Sequence, residues 1–406
     1  MTQDLFLLSR THMSRRMSGA QKLLGQNAYV STACGVEVRL NDGRCMVDLG
    51  SWATTMVGHR HPGVVSAVIE QLGAFTTAPR GLATSPAPHL AQRLVQLAQP
   101  SRLTKVWFGA NGADVVEAAL KVARVASGRR TVVALKDGFH GRTLGALSVS
   151  DADTYISAKQ SLTPGVVTID PGAPPRSAEF WSSVAAVIVE VVQGNGLGTR
   201  IPSDQLDEIV TLAHRHGAAV IADEVQTGLW RCGPFSLALE LGLDPDIVLL
   251  GKALGSGVVP VSAMMATPEL FSPLETAPNL HSQTFSGHPL SCAAGLGTLD
   301  VLPSLADGHY SRVASWVAGL ASGLTDHKSL IARACGLMLT LTFTTSEMTE
   351  RFVRTATHCG VLVSPCDGNR RAVRLLAPLV VEPQHQEDAE NALHLALAAA
   401  DGPDPR

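Results

Sequence analysis

Two adjacent carboxylates and a lysine stand at the ends of apolar runs near the middle of this 406-residue sequence. Asp223 and Glu224 directly follow Ala218–Ala222, and Lys252 follows Ile247–Leu250 after one glycine. A carboxylate at the end of a buried strand is costly unless it meets a cation, and a protonated ring nitrogen of a bound ligand would be such a partner. Burial also lowers the pKa of a lysine, which favours the neutral amine that forms Schiff bases. Taken alone, Asp223 and Glu224 could equally form a solvated acidic turn, and Lys252 could be an ordinary surface lysine.

A glycine-containing turn and an aromatic residue supply two further parts of a candidate ligand site. Gly109–Ala113 follows an apolar stretch and opens a helix, so its free N–H groups and the helix dipole could receive a phosphate. Phe139, in the segment Phe139–Thr143 after another apolar run, could stack on a flat ring. An ordinary helix start and a core phenylalanine are the plain alternatives. These segments therefore indicate a site only when they are taken together.

The elements that would position these residues alternate between short apolar runs and amphipathic stretches. The apolar runs show no regular polar alternation, as expected of strands with both faces covered. They are Thr131–Leu135, Val184–Val192, Ala218–Ala222, Ile247–Leu250 and Val258–Ala266. Helical patterns such as Val115–Ala126 and Asp204–His216 lie between them. This alternation predicts an α/β fold with a mostly parallel sheet, in which ligands bind beyond the carboxyl ends of the strands.

The two ends of the sequence have a different pattern. Gly35–Asp48 alternates around a turn at Asn41–Gly43, which predicts a hairpin. After about residue 305, helices mix with strands such as Leu337–Phe343. We therefore expect residues 1–50 and 305–406 to form a smaller α+β domain, which packs beside a large domain of residues 51–304.

The composition argues against several classes of protein. A formal net charge of −3 offers no electrostatic surface for nucleic acid or an anionic membrane, and aromatic residues are only 4%. The seven cysteines form no metal-binding pattern, so we expect reduced thiols and no metal site. No apolar run reaches the length of a membrane span, and no signal peptide is recognisable. We expect a cytoplasmic protein that binds a small molecule, without nucleic-acid or membrane partners.

In order and spacing, the segments above resemble the class III aminotransferases, the family that includes ornithine, acetylornithine and 4-aminobutyrate aminotransferases. The resemblance extends from about Gly35 to Leu379. It implies a pyridoxal 5′-phosphate (PLP) enzyme of fold type I, which is the fold of aspartate aminotransferase. The family's order of an acid followed by a lysine matches Asp223 and Lys252.

The resemblance also implies a role for each matching residue. Lys252 would form the Schiff base with PLP and shuttle the substrate proton, and Asp223 would hold the pyridine nitrogen. The other residues implied for cofactor binding are Asn111, Gly112, Ala113, Phe139, His140, Glu190, Val225 and Gln226. Thr284 would reach the phosphate of the neighbouring subunit, which implies a homodimer with shared active sites. Arg374 would grip the α-carboxylate of an amino-acid substrate. The further substrate-binding residues would be Trp52, Asn195 and Trp230.

Three regions depart from the family pattern. Asn111 replaces the usual serine or threonine, and its amide can still donate to a phosphate. Trp230 and Cys232 also differ from the common residues, and Trp230 either packs the loop or shapes the pocket. Asn195 stands where many members have a glutamate that pairs with the carboxylate-binding arginine. Because asparagine lacks that charge, we expect Arg374 to stay free for the α-carboxylate of the substrate.

These residues predict an aminotransferase that moves the amino group of an α-amino acid to a 2-oxo acid. The departures at Asn195 and Trp230 keep a second hypothesis open, in which PLP on the same fold supports a different reaction. Elimination, replacement, C–C bond formation, epimerisation or decarboxylation of an α-amino acid such as S-adenosylmethionine, in secondary metabolism, would fit. A binding protein without catalysis is a third hypothesis, against which the joint presence of Asp223, Gln226 and Lys252 argues.

Overall fold

The structure is a computed structural model, and it describes residues 4–79, 82–151, 162–195, 197–324, 327, 329–366 and 369–402. The strands of these residues are β1 (Val30–Cys34), β2 (Glu37–Leu40), β3 (Cys45–Asp48), β4 (Lys105–Gly109), β5 (Thr131–Leu135), β6 (Val166–Ile169), β7 (Val184–Val189), β8 (Val192–Gln193), β9 (Thr199–Arg200), β10 (Ala219–Asp223), β11 (Ile247–Leu250), β12 (Ser262–Ala266), β13 (Leu330–Cys335), β14 (Met338–Phe343), β15 (Val361–Leu362), β16 (Ser364–Pro365) and β17 (Ala372–Leu376). The helices are α1 (Leu5–His12), α2 (Arg15–Leu24), α3 (Pro62–Ala74), α4 (Pro86–Leu97), α5 (Gly112–Ser127), α6 (Leu144–Ser148), α7 (Ala178–Ser182), α8 (Ser203–Arg215), α9 (Leu237–Glu240), α10 (Pro268–Thr276), α11 (Pro289–Leu324), α12 (Ser346–His358) and α13 (Pro383–Asp401). Within the described ranges, no helix has the length and apolar character needed to cross a membrane.

A seven-stranded sheet forms the centre of the molecule, in the order β4-β12-β11-β10-β7-β5-β6. The neighbours from β11 to β6 pair in parallel, whereas β12 runs antiparallel to both β11 and β4. Every residue of β7, β10, β11 and β12 is buried, which explains why their sequences show no polar alternation. The predicted α/β fold with a mostly parallel sheet is confirmed.

Two of the strands predicted for the large sheet are shorter than the apolar runs suggested. In Val258–Ala266 the strand begins only at Ser262, because Pro260 has no N–H to donate and Val258 N–H donates to a carbonyl in a preceding turn. In Val184–Val192 the first strand ends at Val189, just before Glu190. Both differences lie at the ends of strands, because an apolar run can continue beyond the residues that pair in the sheet.

Segments from both ends of the chain build two smaller four-stranded sheets. The predicted hairpin forms from β2 and β3, and the turn places Gly43 at a φ of 92°, where glycine is favoured. β15 pairs in parallel with β3, so a C-terminal segment joins the N-terminal sheet. β13, β14, β17 and β16 form the other small sheet, which is antiparallel. The domain boundaries drawn from the sequence stay a prediction.

The carboxyl ends of five strands meet at one edge of the large sheet. β4, β5, β7, β10 and β11 run in the same direction, since β12 is antiparallel to both of its neighbours. The turns that follow these strands carry Asn111, Phe139, Glu190, Val225 and Lys252. Chain topology therefore gathers residues from distant parts of the sequence at a single edge.

Candidate active site

A cavity of about 290 Å³ opens at this edge of the sheet. It is lined by Trp52, Asn111, Gly112, Ala113, Phe139, His140, Gly141, Arg142, Glu190, Asn195, Asp223, Val225, Gln226, Lys252 and Arg374. All the residues that the sequence predicted for cofactor or substrate lie there except Thr284 and Trp230. Gly141 and Arg142 also line the cavity, and the sequence did not predict them. Both directly follow His140 in the segment Phe139–Thr143, which is the signal that would have indicated them.

Asp223 ends β10, and its carboxylate is held from two sides. Asp223 Oδ1 accepts the Val225 N–H at 3.0 Å, and Oδ2 lies 2.7 Å from His140 Nδ1. Burial opposes a charge on the imidazole, but the hydrogen bond and charge of Asp223, with the charge of Glu190, raise the pKa of His140. His140 Nε2 is buried without a partner among the described residues. The cavity thus contains a buried carboxylate with an imidazole behind it.

Lys252 follows β11 through Gly251 and begins a 3₁₀ helix that ends at Gly255. Its φ of 39° lies in the left-handed region, which costs a residue with a side chain on the order of 1–3 kcal/mol. The ammonium group donates to Gln226 Oε1 at 3.3 Å. The side chain of Lys252 therefore lies in the cavity, and the turn that places it there has an unfavourable backbone conformation.

The surroundings of Lys252 favour its uncharged form. Burial, and next the charge of Arg374, lower the pKa of the lysine to about 8, while Asp223 and Glu190 oppose this change. A fraction of the amine is therefore neutral near pH 7, as a nucleophilic or proton-accepting amine requires.

Arg374 projects from β17 into the same cavity and is 2% exposed. Its Nη1 donates to Gln226 Oε1 at 2.7 Å and to the Gly194 carbonyl at 3.4 Å. The guanidinium lies 6.0 Å from the ring centroid of Trp52, which is half-exposed. The Arg374 Nε atom is buried without a hydrogen-bond partner in the described part of the chain. These acceptors are neutral oxygens, so the guanidinium keeps its capacity for a carboxylate ligand.

Asn195 lines the cavity directly after Gly194 and is 8% exposed. Its Oδ1 atom is buried and has no hydrogen-bond partner among the described residues. An unpaired buried amide oxygen costs about 1–3 kcal/mol unless a ligand satisfies it. The position therefore offers a neutral polar group, and no negative charge, near the guanidinium of Arg374.

The turn before α5 forms the opposite side of the cavity. Asn111 is the N-cap of α5, and its Oδ1 accepts the N–H of Asp114 at 3.1 Å, which leaves its amide N–H₂ group to donate elsewhere. Gly112 and Ala113 occupy the first helical positions, whose N–H groups have no acceptor within a helix. A Cβ atom at Gly112 would lie 2.7 Å from a methyl group of Val225. Glycine is thus required for the close approach of this turn to the strand end.

Glu190 connects two turns of the cavity wall. Its Oε2 accepts the Phe139 N–H at 2.8 Å and its Oε1 accepts the Gly194 N–H at 3.3 Å. Burial raises the pKa of Glu190 to about 7, although His140 opposes the shift. This carboxyl group therefore carries a proton in part of the population near neutral pH, and it joins the turns of Phe139 and Gly194.

Two predicted site residues lie outside this cavity. Trp230 makes an edge-to-face contact with Phe235, with ring centroids 6.2 Å apart, and does not line this cavity. Its role in substrate binding stays a prediction. Thr284 is exposed in the loop before α11, and its expected role in the neighbouring subunit stays a prediction.

Comparison with known proteins gives consistent results over nearly the whole chain. A family model described as aminotransferase class-III matches residues 20–397. The ornithine aminotransferase from Toxoplasma gondii is 27% identical with a TM-score of 0.86, and the alignment covers 98% of this chain and 95% of that one. An amine transaminase from an uncultivated Pseudomonas species, in PLP-bound form, is 27% identical with a TM-score of 0.82, over 91% and 94% of the chains. An (S)-enantioselective ω-transaminase from Thermomicrobium roseum is 25% identical with a TM-score of 0.82, over 92% and 93%.

Proposed function

The chain belongs to the class III aminotransferases and is a PLP-dependent transferase, and from this premise we propose that it transfers the amino group of an α-amino acid to a 2-oxo acid through Lys252. The neighbours reported above are transaminases, and they do not support the alternative of a different PLP reaction.

The residues of the cavity fit PLP. The N–H groups at the start of α5, with the Asn111 amide, suit a phosphate. The buried carboxylate of Asp223 suits a protonated ring nitrogen, and Val225 and Phe139 can cover the two ring faces. The lack of a side chain at Gly112 lets the phosphate-binding turn approach Val225 closely.

Bound PLP supplies an aldehyde that condenses with amines and a ring that withdraws electrons from the substrate Cα. Lys252 Nζ would take the proton from the substrate Cα and return it, and its lowered pKa supplies the neutral amine for this task. Asp223 would hold the proton on the ring nitrogen, with His140 fixing the carboxylate. Gln226 Oε1, which accepts from both Lys252 Nζ and Arg374 Nη1, would hold the two side chains in position relative to each other.

The observation that carries the choice of an α-amino acid is the neutral side chain at Asn195. A carboxylate there would pair with Arg374 and compete with the substrate, whereas an amide cannot hold the guanidinium comparably. Asn195 Oδ1 and Arg374 Nε both lack partners among the described residues, so both remain available to a bound ligand. Amines without an α-carboxylate are the competing substrates, since one of the similar structures is an amine transaminase by name.

A single-turnover experiment tests this proposal. The PLP-loaded protein is mixed with a panel of α-amino acids and terminal amines without an acceptor, and released oxo acids and aldehydes are identified by mass spectrometry. We expect α-amino acids to react, and Arg374→Ala to lower their kcat/KM by about a hundredfold. Arg371→Ala is the matched control, because Arg371 is exposed on the same segment and does not line the cavity. Good turnover of simple amines, with unchanged α-amino-acid kinetics in Arg374→Ala, would reject the proposal.

The proposal includes a homodimer in which Thr284 contributes to the partner's site. Thr284 is exposed and outside the cavity of its own chain. Light scattering should give twice the chain mass, and Thr284→Ala should weaken PLP binding without changing that mass. A monomer with full activity would remove this part of the proposal.

A further inference from the structure

Two of the free cysteines, Cys232 and Cys335, lie beside each other although they are 103 positions apart in the chain. The Sγ atom of Cys335 lies 3.8 Å from the Cys232 carbonyl oxygen, and the two thiols share a hydrogen bond. Cys232 is 5% exposed in the loop after β10, whereas Cys335 is partly exposed at the end of β13. The pair therefore combines a buried thiol with one that a small solute can reach.

A glycine makes this close approach possible. Gly336 follows Cys335 and has a φ of 56°, in the left-handed region that favours glycine. A Cβ atom there would lie 2.8 Å from the Cys232 Cα atom and 2.5 Å from the Arg231 carbonyl oxygen. The same carbonyl accepts the Leu337 N–H at 2.8 Å, and Arg231 Nη1 donates to the Leu337 carbonyl at 3.3 Å. The loop after β10 and the turn before β14 therefore pack backbone against backbone, and a disulfide bond needs such a close approach.

The two thiols differ in their readiness to ionise. The hydrogen bond from Cys232 lowers the pKa of Cys335, burial opposes this change, and the charge of Arg200 adds to the lowering. The same hydrogen bond, together with burial, raises the pKa of Cys232. Because the thiolate is the form that attacks an oxidant, Cys335 should react first, with Cys232 beside it as the second thiol.

Two other cysteines differ from this pair. Burial raises the pKa of Cys292 to about 12, and burial with a hydrogen bond to Glu37 raises the pKa of Cys45, although Cys45 is exposed. In the part of the chain that the structure describes, no second thiol acts on either of them. Both are thus less ready to ionise than Cys335, and they serve as controls for burial and for exposure.

Both elements that carry the pair are connected to the cavity through Gln226. This residue lies in the same loop as Cys232, and its Nε2 donates at 3.5 Å to the Sδ atom of Met338, which closely follows Cys335. Its Oε1 accepts the Nη1 of Arg374 at 2.7 Å. A disulfide bond is shorter than a contact between two thiols, so its formation would shift the loop against the turn before β14. Gln226, which contacts both sides, would then lose its alignment with Arg374.

We propose that Cys232 and Cys335 form a redox-sensitive pair, in which a peroxide links the two sulfurs in a disulfide bond that loosens the contact between Gln226 and Arg374. The Cys335 thiolate attacks the peroxide, breaks its O–O bond and becomes a sulfenic acid, with release of hydroxide. The sulfur of Cys232 then attacks the sulfenic sulfur, loses its proton and displaces hydroxide. Two thiols and one hydrogen peroxide thus give one disulfide and two waters. Disulfide formation does not depend on the proposed function, whereas the consequence for an amino-acid substrate rests on it.

The test uses the full-length chain loaded with PLP, oxidised with hydrogen peroxide and then freed of excess reagent. Peptide mass spectrometry without reduction should find the peptides of Cys232 and Cys335 joined in most chains. Binding of 2-methylalanine, an α-amino acid with no proton on Cα, is followed by the absorbance of the cofactor and needs no turnover. We expect oxidation to raise its Kd about fivefold, as for a weakened hydrogen bond, and dithiothreitol to restore it.

Serine variants separate the pair from the other cysteines. Cys335→Ser and Cys232→Ser each remove one sulfur, so each should abolish the joined peptide and the change in Kd on oxidation. Cys335→Ser, at the partly exposed position, decides the question if Cys232→Ser does not fold. Cys292→Ser and Cys45→Ser are the matched controls for a buried and an exposed thiol, and both should still form the joined peptide.

Absence of the joined peptide in the oxidised wild-type chain would overturn the assignment of Cys232 and Cys335 as a redox-sensitive pair. A joined peptide with an unchanged Kd for 2-methylalanine would overturn the effect on the cavity. A joined peptide and a raised Kd in a chain that transfers no amino group, oxidised or reduced, would instead reject the proposed function and retain the redox-sensitive pair.

Discussion

The two sides of the end of β10 show how one dipeptide serves two purposes. Asp223 faces the cavity, where His140 and the Val225 N–H hold its carboxylate. Glu224 faces away from the cavity, where its carboxylate accepts the Ser236 hydroxyl and two backbone N–H groups at the start of α9. Successive side chains of a strand point to opposite faces, which explains the separation.

The difference lies in how completely the polar groups are satisfied. Glu224 accepts from three donors and is 1% exposed, as expected of a buried carboxylate that stabilises structure. On the cavity side, His140 Nε2, Asn195 Oδ1 and Arg374 Nε are buried without partners in the described ranges. Unsatisfied buried groups cost stability, and these three belong to residues that line one cavity, where a bound ligand would complete them.

Lys252→Ala is the strongest test of the difference between the cavity side and the opposite side of the sheet. Because the amine would carry both the cofactor link and the proton, we expect amino transfer to fall by at least about a thousandfold, with little loss of stability. Activity is measured by product formation, and the fold by thermal denaturation. Retained turnover would show that the amine of Lys252 is not needed for the reaction.

The adjacent acids provide the next test. Asp223→Asn should lower kcat by about a hundredfold and change the melting temperature little, because an amide cannot hold a ring proton as a carboxylate does. Glu224→Gln should lower the free energy of unfolding by about 2–3 kcal/mol and leave kcat nearly unchanged. Equal effects of both substitutions on kcat would show that the two sides are not functionally distinct.

Glu190 gives a pH-dependent test. Its folded-state pKa of about 7 is raised above its ordinary 4.5, so the stability that it contributes at low pH is lost as pH rises through 7. Glu190→Gln cannot lose a proton, so relative to wild type it should gain about 2 kcal/mol in free energy of unfolding between pH 5 and pH 8. Chemical denaturation at both pH values measures this change. Glu387→Gln, at an exposed position of α13, is the control. An equal change in its free energy of unfolding would show that the raised pKa of Glu190 is not the cause.

The smallest expected effect is that of Asn195→Glu. A carboxylate near Arg374 should compete with the substrate and raise KM for α-amino acids by about tenfold, while terminal amines improve relative to them. The kinetic ratio of the two substrate classes measures the change. Asn195→Gln keeps the amide and serves as control. An unaltered ratio would mean that Asn195 does not set this preference.

The sequence indicated most of the cavity because its residues follow the apolar runs. Asp223 and Lys252 come at strand ends, and such ends meet at one edge in a parallel sheet. The confirmed α/β fold follows from the same pattern. The sequence left open whether Trp230 packs the loop or shapes the pocket, and the contact with Phe235 appears only in the folded chain.

Local sequence alone determined that apolar runs end near Asp223 and Lys252, that a helix begins near Asn111 and that position 195 carries no charge, since each depends on a few neighbouring residues. Only the tertiary structure decided that Gln226 contacts both Lys252 and Arg374, and that Arg231 is buried against the ends of a sheet more than a hundred residues away in the chain. The physical reason is that burial and electrostatic environment depend on long-range packing. The lysine becomes a candidate catalyst because the folded chain buries it and, to a smaller extent, because the charge of Arg374 acts on it, and both effects lower its pKa.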